Sequence, residues 1–306
     1  MKNLSKLSLL IAITALVFVT SCDDEPTEGP KTIVQIAVGD PQFSTLVAAL
    51  TKADLVSTLN GAGPFTVFAP TNAAFTALLS DLGATSLDDI SAEALKPILL
   101  NHVVAGNFKS TDLATGYVGT ANNNGPDDTN IDLYIEVSSG VKINKDITVI
   151  NADVAASNGV IHVVDKVILP TDVVDIAVNN ANFTSLVGAL SSAEGDLVTV
   201  LKGDGPFTIF APLNSAFENI SGVVAGLSDE ELADILKYHV VAGANVLSTN
   251  LTNGMEVTTL NGKFTVNISG TSVTLTDESG ATANVVATDV QGTNGVVHVI
   301  DKVLLK

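Results

Sequence analysis

The sequence contains no arginine: all 14 of its basic residues are lysines, set against 33 carboxylates, for a formal charge of −19. Nucleic-acid binding depends on basic patches that displace counterions and on guanidinium forks that read phosphate and guanine, so that class of partner is excluded. There is one cysteine, Cys22, and therefore no internal disulfide. The N-terminal apolar run, residues 7–19, is shorter than the roughly 20 residues a bilayer-spanning helix needs. No G-x-S-x-G elbow, Walker sequence, HxxxH or HxH is present. Gly61-Ala62-Gly63 and Gly203-Asp204-Gly205 are each followed by a proline and a strand pattern, where a phosphate loop would need the start of a helix.

What is present begins with Lys2 and Lys6, the apolar run, and Val19-Thr20-Ser21 ahead of Cys22, the layout of a secretory signal over residues 1–21. Its end resembles the bacterial lipoprotein box, which implies that Cys22 is lipidated and becomes the new N-terminus. At about 0.8 kcal/mol per buried methylene, two or three acyl chains hold a protein firmly on a membrane. Behind Cys22, "DDEPTEGP" has four carboxylates, two prolines, one glycine and no large apolar side chain, so residues 22–30 read as a solvated acidic tether. Acidic residues in this place resemble the signal that carries some lipoproteins to the outer surface. The expected location is the bacterial outer membrane or cell surface. Without residues 1–21, which hold two lysines and no carboxylate, the charge becomes −21, a balance that allows weak bridging by divalent cations.

The rest of the chain is written twice. "GPFTVFAP" at residues 63–70 returns as "GPFTIFAP" at 205–212, "HVVAG" recurs at His102 and His239, and "NGVIHVVDKVIL" from Asn158 matches "NGVVHVIDKVLL" from Asn294 at nine of twelve positions. The offsets drift from 142 to 136, as loop insertions and deletions produce. Repeats of this length exceed solenoid units and can each bury a core, so two domains are expected, 31–169 and 170–306.

Within each repeat the apolar period changes from helix to strand. Phe43, Leu46, Val47 and Leu50 mark one helical face, as do Phe183, Leu186, Val187 and Leu190; Leu55 and Leu59, with Leu197 and Leu201, extend it. Gly63-Pro64 breaks the helix, Phe65–Ala69 suits a buried strand, and Asn72, like Asn214, is placed to N-cap the helix that follows. "SDEELADILKYHV" opens with a capping box, Ser228 and Glu231. Alternating strands then turn at 138–140 and near Gly270, and "VIHVVDKVIL" is apolar on both faces, as a central strand should be. Helices first and strands second imply an α+β fold.

These blocks, in order and in both copies, resemble the fasciclin-type domain. The resemblance implies a compact β-sandwich or wedge with helices packed on one side, extracellular binding to other cells, matrix or polysaccharide, and no cofactor. It also points to two candidate binding positions. The first is the Tyr-His pair, Tyr238-His239 in the second repeat but Asn101-His102 in the first, which lacks the ring. The second is an Asp-Ile dipeptide before the last block, filled here by Asp153-Val154 and Asp289-Val290.

All four histidines, His102, His162, His239 and His298, fall at paired motif positions. As metal ligands or bases they would need a third partner. His162 lies between Val160 and Val164 on one strand face, and His298 between Val296 and Ile300, so buried, hydrogen-bonded structural histidines are the better reading. Asp128, Asn130, Asp132 and Glu136 alternate like oxygen ligands but lack the central glycine of a calcium loop, and the second repeat has no counterpart; a solvated loop entering a strand is expected. The composite expectation is a lipid-anchored, non-enzymatic adhesion protein with two weak modules for matrix, polysaccharide or cell-surface protein. The alternatives are a carbohydrate- or metabolite-processing enzyme on the same scaffold, and a passive spacer.

Overall fold

In the first repeat the helical spacing becomes short helices: α1 (Ile33–Gly39), α2 (Ser44–Lys52), α3 (Val56–Leu59), α4 (Asn72–Asp81) and α5 (Ala92–Leu100). The expected single face through Phe43 to Leu59 is broken. Asp54 adopts a left-handed φ of 55°, which ends α2 and turns the chain before α3. Leu55 and Leu59 still reach the same core as Leu46 and Leu50, because the turn redirects the backbone and not the buried face. The computed structural model describes residues 29–306; the signal segment, Cys22 and residues 23–28 of the tether lie outside them.

Strands β1 (Phe65–Pro70), β2 (Val103–Ala105), β3 (Gly116–Gly119), β4 (Asp132–Val137), β5 (Val141–Ile143), β6 (Ile147–Ala156) and β7 (Gly159–Val164) form one sheet in the order β2-β1-β7-β6-β5-β4-β3. Only β1 and β7 are parallel within it. The two repeated blocks are therefore neighbours in space, with Phe65 opposite Gly159 and Phe68 opposite His162. Their glycines are required there. Gly63 has φ +66°, and a Cβ on it would strike the Asn158 carbonyl; a Cβ on Gly159 would strike that of Phe65. The sheet curls until its ends meet, where Ala121 N, just past β3, donates to Val103 O on β2 at 2.7 Å.

The curl gives the domain two apolar layers. Val67 and Ala69 of β1 and Ile161 and Val163 of β7 face the helices. Phe68 and Val164, one residue out of step, point into the curled sheet against Leu133, Ile135 and Ile143. Period-two alternation on a strand buried on both sides thus serves both layers.

The second repeat builds the same pattern with α6 (Val173–Val178), α7 (Thr184–Ser192), α8 (Leu197–Leu201), α9 (Asn214–Glu218), α10 (Ser221–Val224) and α11 (Asp229–Lys237). Its strands are β8 (Phe207–Pro212), β9 (Val240–Ala242), β10 (Glu256–Thr259), β11 (Gly262–Ser269), β12 (Ser272–Thr276), β13 (Thr282–Gly292) and β14 (Gly295–Ile300). Their order, β10-β11-β12-β13-β14-β8-β9, is that of the first sheet read from its opposite edge, and Leu260 N closes the curl onto Val240 O. Ser228 and Glu231 form the capping box on α11. Apolar layers 173–303 and 210–304 belong to this repeat, and one residue of the first repeat, Tyr117, packs against the former. Residues 31–306 make one compact unit. Among the described residues no single helix is long and apolar enough to cross a membrane.

Candidate functional site

The four histidines are spent on the backbone, in two opposite tautomers. His102 Nδ1 donates to Ile98 O at 2.7 Å, and its Nε2 accepts the Ile168 N–H at 2.8 Å. His239 repeats this with Ile235 O and Leu304 N. Each ties the end of a helix to the segment after the last strand. His162 and His298 are protonated on the other nitrogen: Nε2 donates to Phe108 O or Val246 O, and Nδ1 accepts the N–H of Asp153 or Asp289. Their rings stack on Phe68 and Phe210. No ring nitrogen keeps a free lone pair for a metal or a substrate proton. Burial lowers His102 and His239 to about 4, against the upward pull of their helix carbonyls, and lowers His298 as well.

The Asp-Val dipeptides sit on irregular turns of β6 and β13, where the register shifts and Asp153 and Asp289 adopt φ of 63° and 62°. Each carboxylate clamps the loop after β2 or β9. Asp153 accepts the Ser110 N–H at 2.7 Å and its hydroxyl at 2.5 Å; Asp289 takes Ser248 in the same way. The Ser110 bonds hold the Asp153 carboxyl below the usual carboxylate range. Asp153 is nevertheless exposed and Val154 half-buried, whereas Asp289 is half-buried and Val290 belongs to the core.

Asn72 does not cap the helix it begins. Thr71 supplies that cap, and Leu213 in the second repeat supplies no side-chain cap at all. Asn72 instead reaches back 27 residues, where its Oδ1 accepts the Thr45 N–H in the first turn of α2 and its Nδ2 donates to Pro41 O. Asn214 does the same for α7 through Ser185 and Ala181. A second asparagine, unremarked in the sequence, is more deeply placed. Asn158 Nδ2 donates to Leu59 O and Gly61 O while Oδ1 accepts the Ile33 N–H, and Asn294 has the same three kinds of partner.

The repeats also share a face that their motif spacing does not show. Asp132, expected in a solvated approach to a strand, opens β4 and accepts the Gln291 N–H across the repeat boundary at 2.7 Å. Burial, with Asp289 facing it, raises Asp132 to about 6 even though the Gln291 N–H pulls it down. Beside it the Tyr117 hydroxyl accepts from Asn180 Nδ2 at 2.9 Å, and the Tyr117 ring lies 5.1 Å from that of Tyr134.

The profile of the fasciclin domain matches the chain twice, at residues 41–170 and 181–306. The chain belongs to the fasciclin domain family. Among its relatives, Protein sll1483 of Synechocystis sp. is 47% identical over 145 residues, covering 47% of this chain and 76% of that protein. Periostin of Homo sapiens is 30% identical over 256 residues, and transforming growth factor-beta-induced protein ig-h3 of Sus scrofa 30% over 253. Each covers 81% of this chain, and the chain spans only 29% and 35% of those longer proteins. A solved FAS1 domain pair from the insect cell adhesion molecule Fasciclin I aligns with 89% of this chain and 96% of its own, at a TM-score of 0.49 and 19% identity. Fasciclin domains are linked to cell adhesion and extracellular binding.

Within this fasciclin pair the Tyr-His position is a structural joint in both copies. Tyr238 is 1% exposed; its hydroxyl donates to Lys263 O at 2.6 Å and accepts the Glu278 N–H at 3.1 Å. Asn101 is fully buried in the same place and reaches Leu169 O and the Thr120 hydroxyl. Tyr238 also lines an open groove of about 480 Å³, together with Val223, Ile235, Leu304 and Leu305 and with Glu231, Asp234 and Lys306.

Proposed function

We propose that this fasciclin pair is an exported, lipid-anchored binding protein of the bacterial cell surface, which holds matrix, polysaccharide or a neighbouring cell's surface protein through two weak, unequal modules. Cys22 carries the lipid and residues 22–30 supply reach. The observation that carries the reading is that the motif side chains are committed to the fold. Histidines, Asp153, Asp289 and Tyr238 all bond backbone or a neighbouring side chain, so the motif supplies a rigid frame and the exposed faces around it make the contacts. Two linked weak sites gain avidity when one partner presents both epitopes.

In the first domain the accessible face is the exposed Asp153 corner; in the second it is the groove over Tyr238. With no arginine and an acidic surface, nucleic acid is not a partner. Cells expressing the whole chain test the reading. They are expected to retain it in the membrane fraction and to adhere to a polysaccharide-coated surface, and Cys22→Ser should release the protein and abolish the adhesion. Adhesion that persists after release, or a wild-type chain that is soluble outside the cell, would overturn it.

A further inference from the structure

The two domains are unequal where they touch. Gln291 follows the Asp289-Val290 dipeptide and is 2% exposed, whereas Ala155, its counterpart after Asp153-Val154, is exposed. The cover comes from the first domain. Asp132 Oδ2 holds the Gln291 backbone N–H, and the Gln291 side chain bonds Gly292 O, Gly295 O and Asn245, whose own amide reaches Pro126 O of the first domain. Tyr117 packs on the apolar layer that contains Val290 and accepts from Asn180.

The substitutions between repeats suit this contact. Asn180 stands where the first repeat has Asp40, and only an amide has the N–H to give to a phenol oxygen while its Oδ1 caps Asn182 N, as Asp40 caps Gln42 N. We propose that Asp132 and Gln291 form a latch that closes the first domain over the Asp289-Val290 position of the second and tightens in mild acid.

The titratable groups that bear on Asp132 are Asp289 on β13 and Tyr117 on β3, with the Tyr134 ring next to Tyr117. Two carboxylates face each other across a partly dry boundary, and burial pushes both the Tyr117 and Tyr134 phenols up, so the tyrosines stay neutral and add no charge near neutrality. A proton on Asp132 Oδ1 removes the repulsion while Oδ2 keeps the Gln291 N–H. The sign follows from linkage: a carboxyl at about 6 when closed and at its ordinary 3.8 when open binds more protons closed. Closure therefore strengthens as pH falls through about 6 toward about 4, and is weaker and constant above that window. Between pH 7.5 and 5 those two values correspond to about a tenfold change in the closing equilibrium.

The test uses the lipid-free mature chain without any ligand, so its outcome is separate from the binding reading. The Asp132 carboxyl carbon is followed by NMR, together with hydrogen exchange of the Gln291 amide corrected for its intrinsic pH dependence. The latch predicts a titration midpoint near 6 and about tenfold more protection at Gln291 at pH 5 than at pH 7.5, with Asp132→Asn, close to isosteric, removing that pH dependence. A midpoint near 4, protection that does not change with pH, or an Asp132→Asn chain that still follows the wild-type profile would overturn it. Should the variant fail to fold, the two wild-type readings decide alone.

Discussion

Asn158 bonds Ile33 across 125 residues, accepting on its side-chain oxygen the first backbone N–H of α1. Its amide nitrogen simultaneously takes the carbonyls of Leu59 and Gly61 at the end of α3. One buried side chain thus joins the start of one helix, the end of another and the turn into the last strand.

Replacing Asn158 by Ala leaves two buried backbone groups, Ile33 N–H and Leu59 O, without partners, together with the more exposed Gly61 O. At about 1–3 kcal/mol for each buried group so stranded, the variant should lose at least about 2 kcal/mol. Urea unfolding of the two-domain chain should show the first domain's transition moved to lower denaturant, and Asn294→Ala should move the second domain's instead. An unchanged midpoint in both would mean that water replaces the amide at little cost.

Acid should weaken the fold before the carboxylates do. His102 and His239 take up a proton near 6.5 when unfolded but only near 4 when folded, because burial penalises the charged ring; protonation would also set a donor against the N–H of Ile168 or Leu304. The unfolded chain therefore binds more protons between those values, and stability is full above 6.5 and falls as pH drops toward 4, by up to about 3 kcal/mol for each ring. The urea midpoint measured from pH 7.5 to pH 4.5 checks this, with His102→Gln less stable at pH 7.5 and flatter below it.

Tyr238→Phe keeps the ring and removes two hydrogen bonds, to Lys263 O and from Glu278 N. The expected loss is about 1–2 kcal/mol of stability, with the groove wall retained. Adhesion measured well below the melting temperature should change less than twofold. A large loss of adhesion with unchanged stability would assign the hydroxyl to a ligand.

The paired blocks are legible because each strand is buried on both sides, so both copies keep apolar residues at most steps, with a buried threonine or histidine at the same place in each, and glycine at Gly63 and Gly159, where two backbones meet. The helix over Leu55 and Leu59 was over-extended for a related reason: the apolar period continues through Asp54 although the backbone turns there. The position of Asn72 suggests a local cap, since a sequence shows the helix that follows and not the one lying alongside. The tautomers of the histidines depend on which backbone groups surround them, information that spacing does not carry. The contact between domains was hidden because it joins unlike surfaces. Its trace lay in the differences between repeats, Gln291 for Ala155, Asn180 for Asp40, and an acidic stretch around Asp132 that the second copy lacks.

The most direct test of the binding account is to present the lipid-free mature chain to an array of glycans and matrix proteins and then recover both protein and retained component for mass analysis. The account predicts retention of at least one polysaccharide or matrix component, reversible and with its mass unchanged. A component recovered cleaved or otherwise altered, or an array on which nothing is held, would contradict it.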